Sequence, residues 1–350
     1  MAQRNVKEYD IIRAFATVLV VVGHSAYTTM STLHGGIFVE VSEFSKVHTI
    51  LLLFVRLIYS FHMPLFFSLS GALYQIGKEN GKWKELSSLV KVKFKKLILP
   101  LFFVSVFYLI PVKWYSGYFS ALDTPVKDAF LGQLILFDNS HLWYLASLFW
   151  IFIFAWLIDK KVKYTWQKIF LCILIWFAGL GFDENFCGIP GAFSNLIWFY
   201  YGVFYEKNRE TFYQFFKKRL YHYILFLGTV FVYILYLCVF RKNEIVYAVV
   251  GLCGVTVSYF AAYILAKQSQ WNSQIIEKIN RFSFSIYLYS DPLNYVILKG
   301  INDFQLNNIF SSNILSVFVF FFRIFITMTA AMLLGYFFDK VKQCFKHNKR

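Results

Sequence analysis

The chain is poor in charge and poorest in acid: Asp and Glu number 19 against 35 Lys and Arg in 350 residues, and both signs together make up only 15%. That is too little polar surface to cover a soluble globular protein of this length, so a water-soluble enzyme or binding module is excluded. Long polar segments are also missing. The connections between apolar runs reach about 20 residues at most, which leaves no room for a separate soluble domain. The five cysteines (Cys172, Cys187, Cys238, Cys253, Cys344) form no CxxC pair and no metal-like spacing with histidine, so they read as small packing residues. No internal repeat of fixed period is visible, which argues against an inverted-repeat transporter. The first apolar run has no small-residue cleavage site and carries a histidine, so it reads as a retained helix rather than a signal peptide.

What remains is apolar: 58% of residues are hydrophobic and 22% aromatic. Runs long enough to cross a bilayer fall at 11–30, 50–76, 97–115, 134–158, 169–187, 192–205, 222–240, 245–266, 282–299 and 313–338. The expected fold is an all-α integral membrane protein, a bundle of about ten transmembrane helices forming one polytopic domain over 1–350. With both termini in the cytoplasm, the inside segments hold 26 of the 35 basic residues. The outside segments then hold Lys46, Lys113, Lys127, Arg241, Lys242 and Lys299, and Arg13, Arg56 and Arg323 lie within spans. This is the asymmetry expected of cytoplasmic loops, and it supports the even helix number. The formal net charge of +16 is explained by that topology and by anionic lipid headgroups, so no nucleic-acid partner is implied. The loop from Gly77 to Lys96 is strongly basic. It reads as a partly helical segment along the cytoplasmic surface that stops at Pro100. Gly35-Gly36 and Asp123-Thr-Pro125 are turn signals in outer segments that could form a mouth over the bundle.

Two ionisable residues stand in the first run. Arg13 and His24 are eleven positions apart, about three helical turns, which places them on one face roughly 16 Å apart. Asp10 shares that face. A cation near one membrane edge and an imidazole deeper on the same stripe suit the charged and reactive ends of one long donor molecule. Neutral imidazole is also the side chain best poised to take a proton from an alcohol near pH 7. The alternatives are a His24 hydrogen-bonded to a neighbouring helix, and an Arg13 that snorkels to lipid phosphate or pairs with Asp10. His62 falls at a similar depth on the second run beside Pro64, which frees backbone groups there; packing against a kink is the competing reading. Ser70-Gly71 reads as a close-packing step rather than a nucleophile. Asp291, Arg56 and Arg323 are the remaining intramembrane charges, able to pair with one another, to orient His24 (Asp291) or to stabilise a developing oxyanion (Arg56). His141 and Trp143 sit near the outer interface, suited to a sugar or to the aromatic belt. His34, His48, His222 and His347 receive no role.

Taken together, several motifs in order resemble the membrane acyltransferase family 3. They are Asp10-x2-Arg13-x10-His24, then Phe61-His-Met-Pro64-Leu-Phe-Phe-Ser-Leu-Ser70-Gly71, and a basic cluster running into Leu97-Ile-Leu-Pro100. His141-Leu-Trp143-Tyr-Leu145 and Ser283-Phe-Ser-Ile-Tyr287-Leu follow. The branch most similar is the fucose 4-O-acetylase-like or exopolysaccharide O-acetyltransferase group. The resemblance covers nearly the whole chain. It implies a ten-helix protein of the bacterial cytoplasmic membrane that transfers an acyl group, usually acetyl from acetyl-CoA, to a sugar hydroxyl of an exopolysaccharide, capsule or lipid-linked glycan, with no bound cofactor. Arg13 and His24 would be its essential pair, and Lys93, Lys95 and Lys96 would join Arg13 at the donor phosphates; those lysines also fit a purely topological role. Acyl-CoA, the glycan acceptor and membrane lipids are the implied partners. Two departures stand out. Many relatives have a histidine where this chain reads Tyr289-Ser290-Asp291-Pro292, and an arginine-rich motif where it has lysines, which bind phosphate as point charges without arginine's fork. The rival functions are an exporter of lipid-linked sugar or other polar cargo, and a non-catalytic partner in a glycan-assembly complex.

Overall fold

The computed structural model describes residues 6–32, 35–120, 126–135, 141–182, 186–238, 244–268 and 273–347. The turn expected at Asp123-Thr-Pro125, and His34, lie outside them. Twelve helices carry the described chain: α1 (Lys7–His24), α2 (Lys46–Glu79), α3 (Leu86–Tyr115), α4 (Val126–Ile135), α5 (Trp143–Lys161), α6 (Thr165–Gly179), α7 (Ile189–Lys207), α8 (Arg209–Lys217), α9 (Arg219–Cys238), α10 (Glu244–Lys267), α11 (Ser273–Asp303) and α12 (Asn313–His347). Each of the ten apolar runs overlaps one of these helices. Six of them, α2, α3, α5, α9, α10 and α12, are long and apolar enough to cross a membrane, and α6 is a shorter apolar helix. Two others, α1 and α11, are long enough but carry charge. In α1, Lys7, Glu8, Asp10 and Arg13 crowd the first two turns, and α11 carries Glu277, Lys278, Arg281, Asp291, Lys299 and Asp303. The chain is therefore a nearly all-α, multi-pass membrane protein.

Three boundaries differ from the sequence expectation. The first helix ends at His24 rather than near residue 30, because Thr29–Thr32 pairs antiparallel with Gly35–Phe38 as a hairpin (β1, β2), the one sheet among the described residues. In the run at 169–187 the α-helix ends at Gly179, and Phe186–Gly188 forms a 3-10 turn. The basic segment before Pro100 is not a separate surface helix that stops there. Leu86–Lys93 is the start of α3, which continues through Pro100 and Pro111 to Tyr115. Proline clashes with the carbonyl four residues back. A wide π turn precedes each proline: Leu99 N–H bonds to the Phe94 carbonyl and Ile110 N–H to that of Ser105. The extra residue in each turn reshapes the ladder next to the ring, so the helix goes on.

The chain divides into two compact units. The first comprises 1–16, 59–103 and 135–271. In it α2 and α7 cross closely, where a Cβ on Gly71 would overlap the Phe199 carbonyl and one on Gly202 the Ser68 carbonyl. Small residues at membrane helix crossings allow this approach. Gly202→Val will therefore lower the thermal midpoint in detergent well below that of Gly228→Val, since a Cβ at Gly228 meets nothing within 4 Å. Equal melting of the two variants would contradict the crossing. Pro64 leaves α2 unbroken, and the Ser60 carbonyl it deprives of a donor faces Gly251 of α10. In the same unit Asp159 accepts from Lys168 (2.5 Å), Lys78 (2.6 Å) and Tyr200 (3.2 Å), and Tyr9 of α1 donates to Glu206 of α7.

The second unit comprises 17–58, 104–134 and 272–350. Val21 of α1, Ile286 of α11 and Ala331 of α12 form its buried apolar centre. The hairpin is tied down by side chains, as a lone two-stranded sheet must be. The hydroxyls of Thr32 and Tyr118 are 2.7 Å apart, and Asn302 donates to the Phe38 carbonyl at 2.8 Å.

Candidate active site

The last carbonyls of any helix lack intrahelical donors. At the end of α1 they meet a cation. Arg323 of α12 donates from Nη2 to the His24 carbonyl (3.2 Å) and from Nη1 to the Tyr27 carbonyl (2.6 Å). Its Nε donates to Asn294 Oδ1 of α11 at 2.8 Å. The guanidinium also lies over the Tyr27 ring, 5.1 Å from its centroid, and Arg323 is only 1% exposed.

The His24 ring is held from α11. Its Nδ1 is 3.0 Å from Asp291 Oδ1. Tyr27 donates to the same oxygen at 2.9 Å, and Tyr295 to Oδ2 at 2.8 Å. Asp291, Asn294 and Tyr295 are spaced i, i+3 and i+4, so one stripe of α11 supplies the carboxylate, its tyrosine partner and the arginine's acceptor. A buried carboxylate needs such partners to stay dissolved in protein. Because Nδ1 faces an acceptor-only carboxylate, the neutral ring carries its proton there and its lone pair on Nε2, a tautomer assigned from the hydrogen bonds. The imidazole side chain keeps 17% of its surface exposed while Asp291 keeps 1%. Chemically, an imidazole so placed can act as a base oriented by a carboxylate.

Each of the other sequence-selected residues has its own immediate surroundings. Arg13 stays on α1 and is 3.5 Å from Asp10, each side chain about one-third exposed. Lys93 places its ammonium 3.4 Å from the Phe152 ring centroid and 5.0 Å from that of Trp83, while Lys95 and Lys96 are exposed on the first π turn of α3. His62 is buried edge-on to Tyr59 at 5.0 Å. His141 is buried just before α5, and Trp143 packs 6.0 Å from the Phe67 ring. Arg56 is exposed on α2. Ser70 is engaged by the Phe66 carbonyl (2.9 Å) and the Tyr144 hydroxyl (3.2 Å). Tyr27, Asn294 and Tyr295 were not singled out from the sequence. The i+3 and i+4 spacing of Asn294 and Tyr295 from Asp291 is the signal that could have found the latter two.

The family model described as an acyltransferase domain matches residues 6–336. No curated protein and no solved structure matches the chain.

Proposed function

From the premise that the chain belongs to acyltransferase family 3, we propose that it is an O-acetyltransferase of the bacterial cytoplasmic membrane, its donor cytoplasmic acetyl-CoA and its acceptor a sugar hydroxyl. The acceptor belongs to an exopolysaccharide, capsule or lipid-linked glycan precursor, as in the fucose 4-O-acetylase-like branch. In this reading the ten helices work as one polytopic domain with both termini in the cytoplasm. The observation that carries the chemistry is the His24 imidazole held through Nδ1 by Asp291.

An alcohol is a weak nucleophile until its proton has somewhere to go. His24 Nε2 takes that proton as the hydroxyl oxygen attacks the thioester carbonyl. The imidazolium so formed is stabilised by Asp291. When the tetrahedral intermediate collapses, the carbon–sulfur bond breaks and the thiolate recovers the proton from Nε2, giving the ester and free CoA thiol. In the relay variant, Nε2 itself attacks the thioester carbonyl and the carbon–sulfur bond breaks, so CoA leaves as thiol with the ring proton. The sugar hydroxyl then attacks the acyl-imidazole, the carbon–nitrogen bond breaks and the hydroxyl proton restores the neutral imidazole. Arg13 lies three turns back along the continuous α1. It serves the donor phosphates together with Lys93, Lys95 and Lys96. His62 supports the catalytic pair, Arg56 the charge developing on the carbonyl oxygen, and His141 and Trp143 the acceptor.

The test uses the full-length protein in nanodiscs with acetyl-labelled acetyl-CoA and the host glycan. Label on the glycan with matching release of CoA thiol is expected. Glycans of equal acyl content from cells with and without the protein would overturn the reading, and cargo movement independent of CoA would replace it with export.

A further inference from the structure

We propose that Arg323 is a positioning residue for His24, acting through the backbone of α1 rather than on any substrate. This inference rests on the reading of His24 as the base. A guanidinium buried in the apolar interior of a membrane protein is costly enough to call for a reason. Here all three kinds of guanidinium nitrogen have named targets: Nη1 the Tyr27 carbonyl, Nη2 the His24 carbonyl and Nε the Asn294 amide oxygen. The fork is thereby spent on the protein, which separates Arg323 from a group aimed at a developing oxyanion.

Its targets bracket the reactive ring. Asp291 sets the direction of the imidazole, yet that contact depends on where the α1 main chain ends relative to α11. Arg323 fixes this offset. It grips the carbonyl of His24 itself and that of Tyr27, and it is fastened to α11 one turn beyond Asp291. Tyr27, whose carbonyl is held at 2.6 Å, is the residue whose hydroxyl shares Asp291 Oδ1 with the His24 ring. A loosened grip therefore disturbs both donors on that oxygen. Shifts of about an ångström in a catalytic constellation cost rate rather than binding.

Arg323→Lys keeps the charge and removes the fork. With acetyl-CoA and glycan acceptor in nanodiscs, kcat should fall roughly 10- to 100-fold while KM for acetyl-CoA stays within about twofold. The deciding measurement is the cycle with Asp291→Asn. Once the carboxylate that aims the ring is gone, Arg323→Lys should cost less than about threefold more, because both changes remove one device. A purely structural arginine would give independent losses that multiply. Asn294→Ser, which withdraws the acceptor from Nε, should show a smaller loss with the same dependence on Asp291. Multiplicative losses, unchanged kcat, or collapse of both variants to aggregates in size-exclusion chromatography would each overturn the proposal. A wild-type protein without transferase activity would instead sink the functional reading on which it rests.

Discussion

Alanine at position 24 is expected to lower acetyl transfer by roughly 100- to 10,000-fold without loss of folded protein in the membrane. The size follows from the proposed role of the imidazole: without Nε2 no group would take the alcohol proton as the ester bond forms, and in the relay variant there would be no acyl carrier at all. The fold should persist because the contact that secures the end of α1 uses the His24 main-chain carbonyl, which alanine retains, rather than its ring. Steady-state transfer by His24→Ala in nanodiscs, with equal monodisperse protein as the reference, checks both halves. Activity within about threefold of wild type would remove His24 from the chemistry.

Asp291→Asn should come close to that loss, on the order of 100- to 10,000-fold in kcat, with KM for the acyl donor little changed. The two side chains have the same shape, so packing in the buried site is preserved. The hydrogen-bond sense is not. An asparagine amide that turns its NH2 toward His24 Nδ1 makes that nitrogen the acceptor and moves the ring proton to Nε2, where the lone pair is needed. The anion that stabilises the imidazolium is lost as well. Tyr27 and Tyr295, which both donate to this carboxylate, lose an anionic acceptor at the same time. A variant that keeps most of its kcat would show that the 3.0 Å contact holds structure rather than directing a proton.

Much of this molecule was legible in its sequence, and the rest was hidden for identifiable reasons. Apolar runs located all six of the helices long and apolar enough to cross a membrane, because burial in lipid demands continuous hydrocarbon. Arg13 and His24 stood out because both lie in one helix, where spacing alone fixes a shared face. Asp291 was visible as a costly charge, and its contact with His24 was among the uses foreseen for it. Its tyrosine partners were not: Tyr27 and Tyr295 are two of 24 tyrosines in a chain rich in aromatics, and only tertiary structure tells a hydroxyl aimed at a carboxylate from one packed for its ring. Arg323 was expected only to pair with another intramembrane charge, since its targets include backbone carbonyls, which every residue has and no side-chain pattern records. The stop expected at Pro100 failed for a local reason, because proline ends a regular helix but not one already widened upstream of it.

Those two wide turns in α3 alter how its sequence must be aligned and mutated. Each inserts one residue where a regular helix would have none, so every position after Ile98, and again after Leu109, is rotated back by about 100° from where a 3.6-residue count would put it. A substitution scan along this helix should therefore show its rhythm of tolerant and intolerant sites slip phase twice. A homologue shorter by a single residue in either turn would keep the same downstream faces, so a gap that looks disruptive on paper would be silent in three dimensions.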